Sequence, residues 1–309
     1  MLVTTESRFE KSDELWIIDL RAKRAHRLAR LPEPHKNQKL FASRFTVGSD
    51  HVVWWDSYTD GDQSYTRIWK VALNGGQPNL VSTVTGSYGT ADPVMGDRLT
   101  VHGNTVYFSH GIAGGVRKVS LSGGDAIAVP NTKGYHLLQW PWVATPGLTF
   151  KGEPPCHLGP DNQPQCPGRG GELDMSADVL TTIRNLETGE ERKAVVPEGV
   201  VGVACHVTYC TGSKDNRSVM FKRDGSALRN LPGQRPVDSM PTMDRFLVLR
   251  NGKDYHLYDL KSGKSGELDP DQQPNGGRMV PMSWAPDARL LCWTINGKSY
   301  AIMDLAAIK

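Results

Sequence analysis

The sequence lacks what a helical protein needs. No stretch of ten or more residues keeps a 3.6-residue apolar period, and 32 glycines and 20 prolines are spread through the 309 residues. That excludes long amphipathic helices and favours strands broken by turns. No apolar run is long enough to cross a bilayer as a helix. An excess of one charge is lacking too: 36 Lys and Arg stand against 33 Asp and Glu, a net charge of +3. The densest basic run, 21–30, surrounds one turn and reads as a solvated face, so nucleic acid is not an expected partner. G-x-S-x-G, H-E-x-x-H and a phosphate-cradling glycine loop are all missing. No cofactor is implied, and nothing points to a serine nucleophile, a zinc protease or a nucleotide site.

What is present is a repeat. In 65–84, YTRIWKVALNGGQPNLVSTV, two short apolar strands flank the turn Asn74-Gly75-Gly76. Variants recur at 15–31, 116–130, 181–197, 219–232, 255–268 and 300–305. Gly-Gly, Thr-Gly, Asp-Gly and Ser-Gly pairs supply the positive φ that such turns require. The residues before the turns are Leu20, Leu73, Leu121, Leu186, Arg223, Leu260 and Leu305. A spacing of roughly 40–50 residues of β pattern predicts an all-β protein, a β-propeller of mostly four-stranded antiparallel blades. Seven outer hairpins favour seven blades over six, the latter requiring the termini to share one blade. The chain then forms a single domain, 1–309, with one large insertion at 151–173 in blade four. MLVTTESRFEK already reads as a strand, and blade one is short of an inner strand. An export signal or membrane anchor upstream of Met1 is therefore expected.

The five cysteines include two local pairs, Cys156/Cys166 in the Pro/Gly-rich insertion and Cys205/Cys210 across a tight turn. Disulfides, free thiols and a metal site are the alternatives. The spacing is wider than zinc favours, so disulfides and an oxidising compartment are expected. Cys292, in LLCWTI, reads as a small apolar strand residue.

Residues 283–305, SWAPDARLLCWTINGKSYAIMDL, resemble the repeat of TolB-like propellers, also called the WD40-like or PD40 repeat. Trp284-Ala285-Pro286-Asp287 matches the turn of that repeat and Met303-Asp304-Leu305 its strand end, which Asp19-Leu20 and Asp259-Leu260 also carry. ACHVTYC followed by FKRDGSALRNLPG is similar to exported actinobacterial members. The resemblance implies a secreted or surface-anchored protein that binds a partner. The family shares no catalytic residues that could be transferred.

Candidate ligand residues lie where outer-to-inner and second-to-third strand connections open onto one face of a propeller. They are Asp56 and Tyr58 in WWDSYTDGDQSY, His110, Tyr135, His136, Trp140, Trp142, Asp238 and Arg278. Asp56, Asp60 and Asp62 offer oxygen ligands for calcium, without the spacing of an EF-hand. Trp140 and Trp142, read as two positions of one strand, would share a face and make a stacking platform. Trp54, Trp55, Trp69, Trp284 and Trp293 read as fillers between blades. The expected function is a non-enzymatic, exported, monomeric propeller binding a protein or cell-envelope ligand through this face and the insertion. The alternative is a lyase, cyclase or hydrolase of a small molecule or glycan at the channel mouth, with His110, His136, Tyr135 and Arg278 as its first candidates.

Overall fold

The computed structural model describes residues 2–8, 11–19, 22, 24–33, 35–36, 38–60, 63–85, 98–109, 114–147, 157–158, 164–165, 174, 176–232, 241–252, 254–268, 290–295 and 299–308. The fold is all-β. Among the described residues the one helical element is a 3-10 turn at Leu305–Ala307. The chain divides into two compact units, 1–140 with 152–170 and 141–151 with 171–309.

In the first unit β1 (Leu2–Arg8), β2 (Lys11–Asp19) and β3 (Arg24–Arg30) form a three-stranded antiparallel sheet. A four-stranded meander follows: β4 (Gln38–Val47), β5 (His51–Asp60), β6 (Gln63–Ala72) and β7 (Asn79–Thr85). A second comprises β8 (Leu99–His102), β9 (Thr105–Ser109), β10 (Val116–Ser120) and β11 (Ile127–Ala128). Four-stranded antiparallel meanders are the building blocks that a β-propeller stacks. β12 (His136–Gln139) comes next.

The adjacent tryptophans of β5 show how these sheets pack. Successive strand residues point to opposite faces. Val52 and Trp54 therefore join Leu15, Leu28 and Ala29 of the first sheet, and Leu31 just after it, in one core. Val53 and Trp55 join Leu99, Val106, Phe108 and Val119 of the third sheet in another. Trp55 meets Phe108 edge-on, with ring centroids 6.4 Å apart. One sheet is thus buried on both faces, and two small cores replace one large one.

The second unit opens with β13 (Trp142–Thr145). Within 152–170, β14 (His157–Leu158) and β15 (Pro164–Gln165) make a small ladder. β13 pairs with β16 (Thr182–Asn185), which pairs with β17 (Glu191–Lys193). A further four-stranded meander comprises β18 (Val201–Cys205), β19 (Tyr209–Lys214), β20 (Arg217–Lys222) and β21 (Arg229–Asn230). Then come β22 (Phe246–Asn251), β23 (Asp254–Asp259) and β24 (Ser265–Leu268), and last β25 (Leu290–Ile295) with β26 (Ser299–Asp304). Tyr209, Met220 and Leu231 pack on Leu247, Leu249, Tyr258 and Leu260. Phe246, Tyr255, Leu257 and Leu268 pack on Leu305.

One backbone bond marks the repeat. In five of the repeats the residue before the hairpin turn donates its N–H to the turn that opens the preceding strand of its sheet. The pairs are Leu73 to Asp50, Leu121 to Asn104, Leu186 to Pro141, Arg223 to Thr208 and Leu260 to Arg245, all at 2.8–2.9 Å. Leu121, Leu260 and Leu305 are buried, and so is Arg223, alone in replacing leucine. The Asp-Leu and Asn-Leu strand ends have a local reason as well. Asp259 accepts from the N–H of Lys261, Asn185 from those of Glu187 and Thr188, and Asp304 from that of Ala306. Each side chain thereby turns the backbone out of its strand. The turn glycines take the expected positive φ. At Gly225, with φ +82°, an added Cβ would also come within 3.0 Å of Val195.

Two sequence expectations need correction. WWDSYTDGDQSY is not a loop: β5 runs through Asp60 and pairs with β6 over ten residues, from His51↔Ala72 to Asp60↔Gln63. Alternating polar and aromatic residues extend the hairpin because each face has cross-strand partners. Nor does a single strand carry Trp140 and Trp142. Trp140 lies in the turn with Pro141, and Trp142 begins β13. Strand alternation therefore does not place the two rings on one face.

Candidate functional site

The longest hairpin bears the richest side-chain cluster. β5 and β6 are ten residues each, against five in β9 and β10 and six in β19 and β20. Five extra residues add about 16 Å of strand. Register sets Trp54 opposite Trp69, Asp56 opposite Arg67 and Tyr58 opposite Tyr65, all on one face.

Asp56 is buried, with 5% of its surface exposed. Arg67 grips it with two bonds, Nε to Oδ1 at 2.7 Å and Nη2 to Oδ2 at 2.8 Å. The Trp69 indole N–H donates to Oδ2 at 3.2 Å. Burial pushes the Asp56 carboxyl above its usual value of 3.8, despite the opposing pull of Arg67 and Trp69. The guanidinium carbon lies 5.2 Å from the ring centre of Tyr58 and 5.2 Å from that of Trp69. Tyr58 stacks on Tyr65 at 4.9 Å and 13°, and His35, from the preceding connection, stacks on Tyr58 at 4.0 Å. Tyr58, Tyr65 and His35 are half-buried. The cluster thus runs from a buried ion pair to a row of accessible rings. Its guanidinium is fixed in direction, and the Nη1 corner is the one Asp56 does not hold.

A second cluster in the same unit contains Trp140, which stacks on His102 at 5.0 Å and meets Tyr107 at 3.9 Å. Tyr135 leads into β12, its carbonyl accepting from Gly115 N–H, and His136 is buried with 4% exposure. In the other unit Trp142 carries the guanidinium of Arg192 4.9 Å from its ring centre. His110, Asp238, Arg278 and Asp62 lie outside the described residues, as do Cys156 and Cys166. Among the described residues no group of three or more His, Cys, Asp or Glu side chains is placed to hold a metal ion. Asp56 gives both oxygens to Arg67.

The second unit holds the other polar concentration. Cys205 and Cys210 form the expected disulfide across the β18–β19 turn. Within that turn His206 is fully buried, and its Nδ1 lies 2.9 Å from Asp244 Oδ1. Burial opposes the charge of Asp244, but hydrogen bonds from His206 and the Thr208 N–H outweigh it and hold the carboxyl below 3.8. Arg223 donates to the carbonyls of Leu180, Thr181, His206 and Val207. Burial pulls its pKa down to about 10. Nearby, Arg245 grips Asp259 at 2.9 and 2.7 Å and holds it well below the usual carboxylate range.

His35, Tyr65 and Arg67 are absent from the sequence-based candidates. The signal that finds them is the Gly61-Asp62 pair. Taken as a two-residue hairpin connection, it fixes Asp56 opposite Arg67 and Tyr58 opposite Tyr65. His35 has no comparable signal. Arg223 is flagged by occupying the leucine position of the repeat.

No family model matches the chain, and no curated protein matches it. Solved structures similar to it include a protein from Lactobacillus plantarum, 14% identical with a TM-score of 0.36, the match covering 86% of this chain and 94% of that one. AztD from Citrobacter koseri is 12% identical with a TM-score of 0.40, over 95% and 76%. The α-L-arabinofuranosidase Arb93A from Fusarium graminearum, solved with an iminosugar inhibitor, is 12% identical with a TM-score of 0.34, over 82% and 83%. These are distant likenesses of fold, and the functional reading comes from the residues.

Proposed function

We propose that this chain is an exported, non-enzymatic β-propeller that binds a cell-envelope ligand, and that the β5–β6 face is its binding surface. The observation that carries this reading is the graded cluster on that face. Its charged pair is mutually satisfied and held rigidly, while its rings remain accessible. Such an arrangement suits recognition, which rewards preorganised groups. It does not suit acid–base catalysis, which needs a group free to exchange a proton with substrate. The Cys205–Cys210 disulfide supports an oxidising compartment. Cosedimentation tests the reading. Purified protein is mixed with insoluble Gram-positive cell walls and with Gram-negative envelopes, alongside Tyr65→Ala. Pelleting of the wild type with either fraction, lost in the variant, is the expected result. A wild type that stays in the supernatant with both would overturn it.

A further inference from the structure

We infer that the ligand of the β5–β6 face is a neutral saccharide; this inference rests on the binding role proposed above. Three features of the cluster point to that class. The first is its charge. Arg67 and Asp56 neutralise each other within the site through two bonds of 2.7 and 2.8 Å. In this described pair a polyanion or a cationic ligand would find no surplus opposite charge to compensate its own. The second is geometry. A guanidinium held on one edge by a carboxylate and flanked by Tyr58 and Trp69 cannot swing. Its remaining N–H groups therefore point in fixed directions, as recognition of hydroxyl groups requires. The third is surface. Tyr58, Tyr65 and His35 form a continuous half-buried row of rings beside the guanidinium. Rings stacked in this way turn faces to one another and offer a ligand their edges and polar tips, which suit the hydroxyl rim of a sugar.

Stabilisation of the hairpin by its tyrosine pair does not account for the site. A cross-strand aromatic pair needs no buried carboxylate, and Asp56 carries the cost of burial at the inner end of this row. A protein partner fits less well. Its binding energy concentrates in an apolar, fully desolvated centre, and the centre here is an ion pair.

Affinity electrophoresis tests the inference. Native gels are cast with a neutral β-glucan, a galactomannan or an arabinan, and separately with polygalacturonate at low and high salt. The polygalacturonate gels control for non-specific attraction of a chain whose net charge is +3. Retardation by at least one neutral polysaccharide is expected, weakened at least tenfold in both Tyr65→Ala and Tyr58→Ala. Two variants on different strands guard against a folding defect in either. Retardation by polygalacturonate alone, retardation unchanged in the two variants, or no retardation in any neutral gel would each overturn the saccharide. Envelope binding that depends on Tyr65, together with failure in every neutral gel, would leave the binding role standing and remove only the saccharide. Failure of cosedimentation would remove the role itself.

Discussion

In the β4–β7 sheet a carboxylate and a guanidinium meet on a face that stays half open at its tyrosine end. In the β18–β21 sheet a guanidinium is enclosed among four backbone carbonyls beneath a disulfide-closed turn. Arg67 has a charged partner and aromatic neighbours, whereas the described hydrogen bonds of Arg223 go to peptide oxygens, drawn from the 180–181 segment and the 206–207 turn. The first arrangement keeps one corner of the guanidinium outside the ion pair. The second spends its donors on holding chain segments together. The difference separates a side chain that presents itself from one that ties the backbone.

Several substitutions would break or sharpen this contrast. Arg223→Ala should be the most damaging, because buried carbonyls lose their donor at about 1–3 kcal/mol each when left unmade. A loss of about 3–5 kcal/mol in denaturant unfolding is expected, and a loss under 1 kcal/mol would refute the tying role. Asp56→Ala strands a largely buried guanidinium and should cost about 2–4 kcal/mol. Arg67→Ala should cost a similar amount, and the double variant less than the two together, as a double-mutant cycle would reveal. Cys205→Ser with Cys210→Ser opens a very short loop. It should cost about 2 kcal/mol on loop-entropy grounds, read as a lowered Tm. Tyr65→Ala removes one cross-strand partner at about 0.5–1 kcal/mol, so a variant that no longer binds should still fold.

Acid separates the two regions by sign. Asp244 and Asp259 have folded pKa values below 3.8. Their contribution to stability is present above 3.8 and is lost as pH falls through that value towards their folded pKa values. Asp56 lies above 3.8 in the folded state. The folded state therefore takes up its proton first, and this group's cost is relieved as pH falls through its folded pKa. Amide hydrogen exchange, corrected for intrinsic rate, should show protection failing around 205–210 and 244–259 at a higher pH than in β5 and β6. The reverse order would overturn the assignment.

Much of the fold could be read from the repeat. The turn glycines take positive φ, and Leu121, Leu260 and Leu305 are buried, because a hairpin turn and a one-sided strand leave local traces. Asp56 and Tyr58 were legible as polar and aromatic groups in a stretch read as a loop, but their partners across the hairpin were not. Arg67 and Tyr65 meet them only through the register of a long hairpin, and a one-residue slip would send each side chain to the other face. His35 reaches Tyr58 through a polar connector with no strand pattern. The burial of Arg223 follows from tertiary packing, which residue type alone would argue against.

The N–H bond that recurs from Leu73 to Leu260 lies at one end of its sheet, and in the four-stranded sheets the connection between second and third strands lies at the other. In the β13–β16 sheet that connection spans residues 146–181, yet Leu186 still reaches Pro141 at 2.9 Å. The repeat therefore has a closed end and a permissive end, and new sequence accumulates at the permissive one. For an engineer it is a set of sockets. The Asp215–Asn216 turn between β19 and β20, with both residues at positive φ, is where a reporter peptide could be spliced while the bond from Arg223 to Thr208 stays intact.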